Sequence, residues 1–397
     1  MDQRQAYCAR WVYCGDRPPI ENGVVEIVGG KISAVHDRVD SNAEGLGNVA
    51  LVPGLVNAHT HLEFSDLAEP ISPAAPFTDW IRALVAYRRS RAPSESAVPA
   101  GKREAEKSGT TCLGEIASPG WSPADLDPTG ARVVVFQELL GLAAEQHEPQ
   151  LTLARDHLQQ RRRERLVYGL SPHAPYSVRP PLYEALVKLA AETSCPLAVH
   201  LAETRAELEL LRAGTGEFVE LLRGFDVWDP IAIPRGTRPL DYLRPLADVP
   251  HALVIHGNYL DGDEIAFLAE HRNISVVYCP RTHAYFGHQS HPWQRMLDAG
   301  VSVALGTDSR GSNPDLSLWR ELQFLRCTFP DVDPALLLEL GTIRGARALG
   351  LDGEIGTLTP GKSADLAVIA LGRESAELFD SNTRVTATMC GGEWIAR

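Results

Sequence analysis

Residues 53–63 read PGLVNAHTHLE. Pro53-Gly54 closes a β-rich stretch, and the apolar run 55–58 that follows ends on His59 and His61. In an extended strand, residues i and i+2 project to one side, so both imidazoles can reach a common point. Outward from this strand the same sign recurs at 110–116, 132–139, 166–171, 196–201, 252–257, 274–279 and 301–306. Between these runs lie amphipathic patterns of helical period at 78–91, 182–193, 204–223 and 315–327. Eight strands alternating with helices over about 250 residues predict an α/β fold, a (β/α)8 TIM-type barrel, in preference to an open sheet.

Both ends of the chain have a different character. Ala9–Tyr13 and Val24–Val28 are β-rich, and Gly29-Gly30 before Lys31-Ile32 predicts a hairpin. Strand-and-turn character returns near the C-terminus around GEIGTLTPGKSADLAVI. The expected organisation is therefore a small β-sandwich domain made of residues 1–52 plus 346–397, with the barrel of 53–345 inserted between its halves. The proline-rich segment 224–250 is long for a connection, and Trp228, Tyr242 and its prolines predict an ordered loop.

The 397 residues are 44% hydrophobic and 22% charged, which excludes wholesale disorder and a fibrous fold. A net charge of −13 makes a nucleic acid a poor partner. The seven cysteines are scattered with no C-x-x-C pair, so neither a disulfide framework nor a thiolate zinc site is expected, and a reducing compartment fits. The opening MDQRQAYCARWVYCG has no apolar signal core, and no stretch reaches about 18 apolar residues. A cytoplasmic protein with no membrane partner is expected.

H-x-H alone is a weak metal signal, since two exposed histidines at a loop start would look the same. The odds change because further candidates sit at successive strand ends: His200 in PLAVHLAET, His256 in ALVIHGN and Asp308 in VSVALGTDS. Each has a structural alternative, a satisfied core histidine or a helix-capping aspartate. Their coincidence at one barrel mouth, where such folds build active sites, points to a metal shell of three His and one Asp with an open position for water.

NAHTHLEFS, SPHAPYSV, HLAET, VIHGNYL, LGTDSRGSNPDLSLW and GTLTPGKSADLAV together resemble the amidohydrolase superfamily, in its nucleobase and nucleoside deaminase branch. The resemblance spans nearly the whole chain and extends to chlorohydrolase-like proteins. It implies that His59, His61, His200 and Asp308 ligate one divalent metal, zinc first, with iron and manganese suiting the same ligands. It also implies that Glu203 shuttles protons and that His256 holds the attacking water or the substrate. Asp308 can in addition accept the hydroxyl proton. Two-metal members use a carboxylated lysine on the third or fourth strand, whereas no lysine occurs between Lys107 and Lys188 here. One metal is expected.

Substrate contacts are expected from His173, which ends the fourth strand in GLSPHAPYS. Glu115 and Glu138 end the second and third strands and either bind a purine edge or ribose hydroxyl, or cap a helix. CPRTHAYFGHQSHPW (279–293) departs from the C-P-x-S-N pattern of related deaminases, and its Arg281 and His283 are expected to recognise a polar or anionic substrate tail.

The expected function is a metal-dependent aminohydrolase that deaminates an aminated purine nucleoside or related heterocycle by attack of metal-activated hydroxide, with release of ammonia. HTHLEFS, the helix carrying Asp79, Trp80, Ile81 and Arg88, and FQELLG look most like 6-aminodeoxyfutalosine deaminases. The alternatives are a triazine-type chlorohydrolase or aminohydrolase, another cyclic C–N hydrolase on the same shell, and a catalytically silent binding barrel. A homodimer through barrel helices, common among relatives, is the candidate assembly.

Overall fold

A computed structural model describes residues 4–38, 41–91, 96–118, 126, 129–160, 164–372 and 377–397. Eight parallel strands run in chain order: Leu55–Thr60, Thr110–Ala117, Arg132–Leu139, Leu166–Pro172, Leu197–Leu201, Ala252–His256, Ile274–Tyr278 and Ser302–Leu305. They are buried along almost their whole length, which is why they read as near-continuous apolar runs and not as alternating ones. One core cluster takes Val56, Ala58, Cys112, Phe136, Ala198, Ile255, Val277 and Ala304 from seven of these strands and fills the barrel interior.

The ring closes between its first and last strands. Thr60 bridges to Asp308, and the Thr307 and Asp308 N–H groups both donate to the His59 carbonyl at 3.1 Å. Gly306 permits this approach, because a Cβ there would lie 2.8 Å from His59 Cβ and 2.9 Å from its carbonyl oxygen. The seam of the barrel thus passes through the H-x-H motif.

The second domain is a mixed sheet drawn from both ends of the chain. Its order is Glu393–Ala396, Arg384–Cys390, Leu366–Ala370, Val49–Pro53, Arg4–Val12, Ile20–Val28 and Lys31–His36, with Glu44–Gly45 beside Arg4–Val12. Leu366 pairs with Pro53 and Ala370 with Val49, so the returning C-terminal strand lies against the one that leads into the barrel. Gly29 and Gly30, at φ 58° and 74°, make the hairpin that their sequence predicts.

The helical pattern at 204–223 is two helices, Arg205–Ala213 and Glu217–Gly224. Gly214 ends the first in the left-handed conformation at φ 66°, with its N–H on the Leu210 carbonyl. Within 224–250 a short helix, Pro239–Leu243, is anchored where the buried Tyr183 hydroxyl donates to the Tyr242 carbonyl at 2.6 Å. Among the described residues no helix is long and apolar enough to cross a membrane.

Candidate active site at the barrel mouth

His59 and His61 leave the first strand, His200 lies in the fifth, His256 ends the sixth, and Asp308 lies just past the eighth. Their rings converge: His59 is 4.9 Å from His61, 5.0 Å from His200 and 5.7 Å from His256 between centroids. Asp308 Oδ1 lies 3.6 Å from His59 Nε2 and 3.7 Å from His61 Nε2. One potential ligand atom from each of His59, His200 and His256 falls within 4.8 Å of the others, and the same holds for His59, His61 and Asp308.

The donor chemistry suits a cation. Both ring nitrogens of His59 and Nδ1 of His61 are buried without a hydrogen-bond partner among the described residues, a costly state unless another group engages them. Burial pushes the His59 and His61 imidazoles well below their usual range, and His200 is lowered for the same first reason. All three are therefore neutral, the form that ligates. His200 Nδ1 donates to the His173 carbonyl at 3.2 Å, which leaves Nε2 as its ligand atom. Asp308 is oriented by the Ser309 N–H at 2.8 Å and the Ser312 hydroxyl at 3.1 Å.

Glu203 stands beside this group, with Oε1 3.4 Å from His256 Nε2. Burial, then the neighbouring Asp308 and Glu207 carboxylates, raise its carboxyl well above the usual range. A shift in that direction strengthens the hold of the carboxylate on a proton, as suits a group that must take one up and pass it on. Its backbone is clamped on both sides: Glu207 Oε2 accepts from the Glu203 N–H at 2.9 Å, and Asn258 Nδ2 donates to its carbonyl at 3.0 Å. Glu207 Oε1 also takes the Ala202 N–H at 2.9 Å. Ala202, His256 and Asp308 all have left-handed backbones, with φ of 54°, 68° and 59°. Such conformations cost a non-glycine residue of order 1–3 kcal/mol and gather at functional sites.

Glu207 and Asn258 escaped the sequence reading. The run T-R-A-E at 204–207 is a capping-box signature that could have exposed Glu207. Thr204 does cap the helix by accepting from the Glu207 N–H at 3.1 Å, but the glutamate side chain turns back to Ala202 and Glu203.

Of the expected substrate contacts, His173 and Glu138 face each other, with Nε2 4.0 Å from Oε1. His173 Nδ1 is held by the Ser177 hydroxyl at 2.7 Å, and Glu138 Oε2 is buried without a hydrogen-bond partner among the described residues. Two more of these side chains have partners within the fold. Glu115 is wholly buried, and both its oxygens accept the Leu62 N–H at 3.0 Å, at the start of the short 3-10 turn Leu62–Phe64 after His61. Arg281 pairs with Asp315, at 2.6 and 3.0 Å, and with Glu321 at 2.7 Å. His283 is buried among Tyr278, His288 and His291. Among the described residues, the donor sets that close on one point are the two that share His59.

Residues 50–395 match the Amidohydrolase family. The chain belongs to it. Amidohydrolases are metal-dependent, and this one is a hydrolase of C–N bonds. It is 32% identical over 333 residues to the aminodeoxyfutalosine deaminase of Deinococcus radiodurans, covering 78% of this chain and 75% of that one. It is 31% identical over 337 residues to a 5-methylthioadenosine/S-adenosylhomocysteine deaminase of Moorella thermoacetica, covering 81% and 74%. The fold matches that of Helicobacter pylori aminofutalosine deaminase, solved with methylthio-coformycin, at a TM-score of 0.84 and 22% identity over 98% of this amidohydrolase and 100% of that chain.

Proposed function

We propose that this amidohydrolase removes the exocyclic amine from an aminated purine nucleoside that carries a substituent on its sugar, with 6-aminodeoxyfutalosine and 5-methylthioadenosine as the first candidates. The observation that carries the reading is that His59 belongs to two close donor sets, one with His200 and His256 and one with His61 and Asp308, beside the buried Glu203 carboxyl 3.4 Å from His256. The names of the two relatives supply the substrate class.

His59, His61, His200 and Asp308 would hold one divalent ion, and their three imidazoles and one carboxylate suit zinc. Such an ion supplies Lewis-acid activation of water at neutral pH. The remaining work belongs to the chain. Glu203 takes the proton of the attacking water at its carboxylate and delivers it to the ring nitrogen beside the amino-bearing carbon; Asp308 accepts the remaining proton of the hydroxyl now on that carbon, and that proton passes to the leaving amine. The carbon–nitrogen bond breaks as the carbonyl forms, and ammonia departs. His256, in contact with Glu203, orients the attacking oxygen. His173 and Oε2 of Glu138 offer hydrogen bonds to the nucleoside, the imidazole to a ring nitrogen and the carboxylate to hydroxyls.

The test is ammonia release by metal-analysed protein across adenosine, methylthioadenosine, S-adenosylhomocysteine, aminodeoxyfutalosine, guanine, 8-oxoguanine, cytosine and a chlorotriazine. About one metal per chain with turnover of a purine nucleoside is the expected result. A full metal complement with activity on the chlorotriazine alone, or on none of the panel, overturns it.

A further inference from the structure

The segment that follows the seventh strand still needs a role, because Arg281 is committed to Asp315 and Glu321. Its most deeply placed histidine is His291, whose ring stacks on Tyr278 at 4.0 Å between centroids and 23° between planes. His291 Nε2 lies 2.8 Å from the backbone carbonyl of His256. A carbonyl only accepts, so Nε2 carries the hydrogen and donates it.

That carbonyl belongs to a strained turn. His256 has φ of 68° and Gly257 follows at 62°. The sixth strand ends here: the Gly257 N–H still reaches the Leu201 carbonyl at 3.1 Å, while the His256 carbonyl is taken by the His291 side chain. A left-handed histidine persists only where its surroundings over-determine it. The direction in which its side chain leaves the backbone depends on this turn, and that side chain ends 3.4 Å from Glu203. The same segment reaches the site a second time, since Thr282 Oγ1 contacts Ser312 Oγ at 3.0 Å and Ser312 orients Asp308.

We propose that His291 is the positioning residue for His256: its Nε2–H holds the His256 carbonyl, and through it the left-handed turn that aims the His256 imidazole at Glu203. This rests on the reading of His256 as part of the reacting site. His291 does not itself touch substrate.

The experiment compares wild type with His291→Phe, which keeps a stacking ring but cannot donate, and His291→Gln, which can. Histidine-selective 15N spectra of the metal-free proteins should show a slowly exchanging imidazole N–H in wild type that both variants lose. The His256 ring signals should shift in the Phe variant and stay near wild type in the Gln variant. On the best substrate of the panel, kcat should fall by about 10–100-fold in the Phe variant, as expected for a misplaced reacting group. KM and metal content should hold within twofold, and the Gln variant should recover most of kcat.

Three results overturn the proposal: no protected imidazole N–H, a Phe variant with kcat within twofold of wild type, or a Gln variant as impaired as Phe. If the Phe variant does not fold, the protected N–H and the activity of the Gln variant decide. Wild-type protein without activity on any purine refutes the functional reading alone, because the spectra still report on the His256 turn.

Discussion

Glu203→Gln isolates proton transfer from everything else at this site. The backbone of residue 203 is held independently of its side chain, by Glu207 at 2.9 Å and Asn258 at 3.0 Å. The substitution therefore changes the ionisable group and leaves its position. General acid–base catalysis contributes typically 10²–10⁴-fold, which at about 1.4 kcal/mol per tenfold is roughly 3–5 kcal/mol of barrier. Folding should respond in the opposite sense. Burial raises the Glu203 carboxyl well above its usual range, so ionisation at that position destabilises the native state. A neutral glutamine of the same size escapes that penalty. The expected outcome is a kcat about 10²–10⁴-fold lower, an unchanged metal content, and a Tm at pH 8 no lower than that of wild type. Steady-state ammonia release, metal analysis and thermal unfolding on the same preparations check all three. Turnover within threefold of wild type removes Glu203 from the reaction. A Tm that falls together with the activity shows that the carboxyl supports the structure instead.

Asp308→Asn should lose metal and rate together, because Asp308 Oδ1 lies within 4 Å of both His59 and His61; a fully metallated, fully active variant refutes it. Gly306→Ala should cost about 1–3 kcal/mol of stability and weaken metal retention, since the new Cβ would lie 2.8 Å from His59 Cβ; chemical denaturation and metal analysis decide, and an unchanged Tm with full metal sinks the argument. Glu207 is pushed up by burial from 4.5 to about 7. Its native state therefore keeps a proton that the unfolded chain releases, so its stabilising contribution is full below about pH 4.5 and is lost as pH rises through about 7, a change of roughly 3 kcal/mol. Glu207→Gln should flatten that part of the pH dependence between pH 5 and 7.5 in urea unfolding, and an identical slope in both proteins counts against it.

Much of this site was legible because its residues sit at strand ends, where a period of two gives way to a loop. H-x-H could be read from spacing alone, and His200, His256 and Asp308 each follow an apolar run that the eye can find. Arg281 shows where local sequence stops being informative. A charged residue in a histidine-rich loop looks available for a ligand, yet its partners Asp315 and Glu321 lie 34 and 40 residues away, and nothing local announces them. Glu115 is similar, since its partner is the Leu62 N–H on the neighbouring strand's loop, 53 residues earlier. His291 was visible as a histidine but not as a donor to the carbonyl of His256, 35 residues before it.

The sequence by itself determined the eight-strand barrel, the terminal β domain, and the residue types that meet at the mouth. These follow from short-range physics: buried strands need apolar runs, turns need glycine or proline, and metal chemistry needs imidazole and carboxylate. Tertiary structure alone decided which charged groups remain available for chemistry and which are bound to one another. It also decided that the barrel seam at Gly306 passes against His59, and that Ala202, His256 and Asp308 adopt left-handed backbones. Hydrogen-bond satisfaction is a property of the whole packed chain, because each buried donor takes whatever acceptor the fold brings within about 3 Å, however distant in sequence.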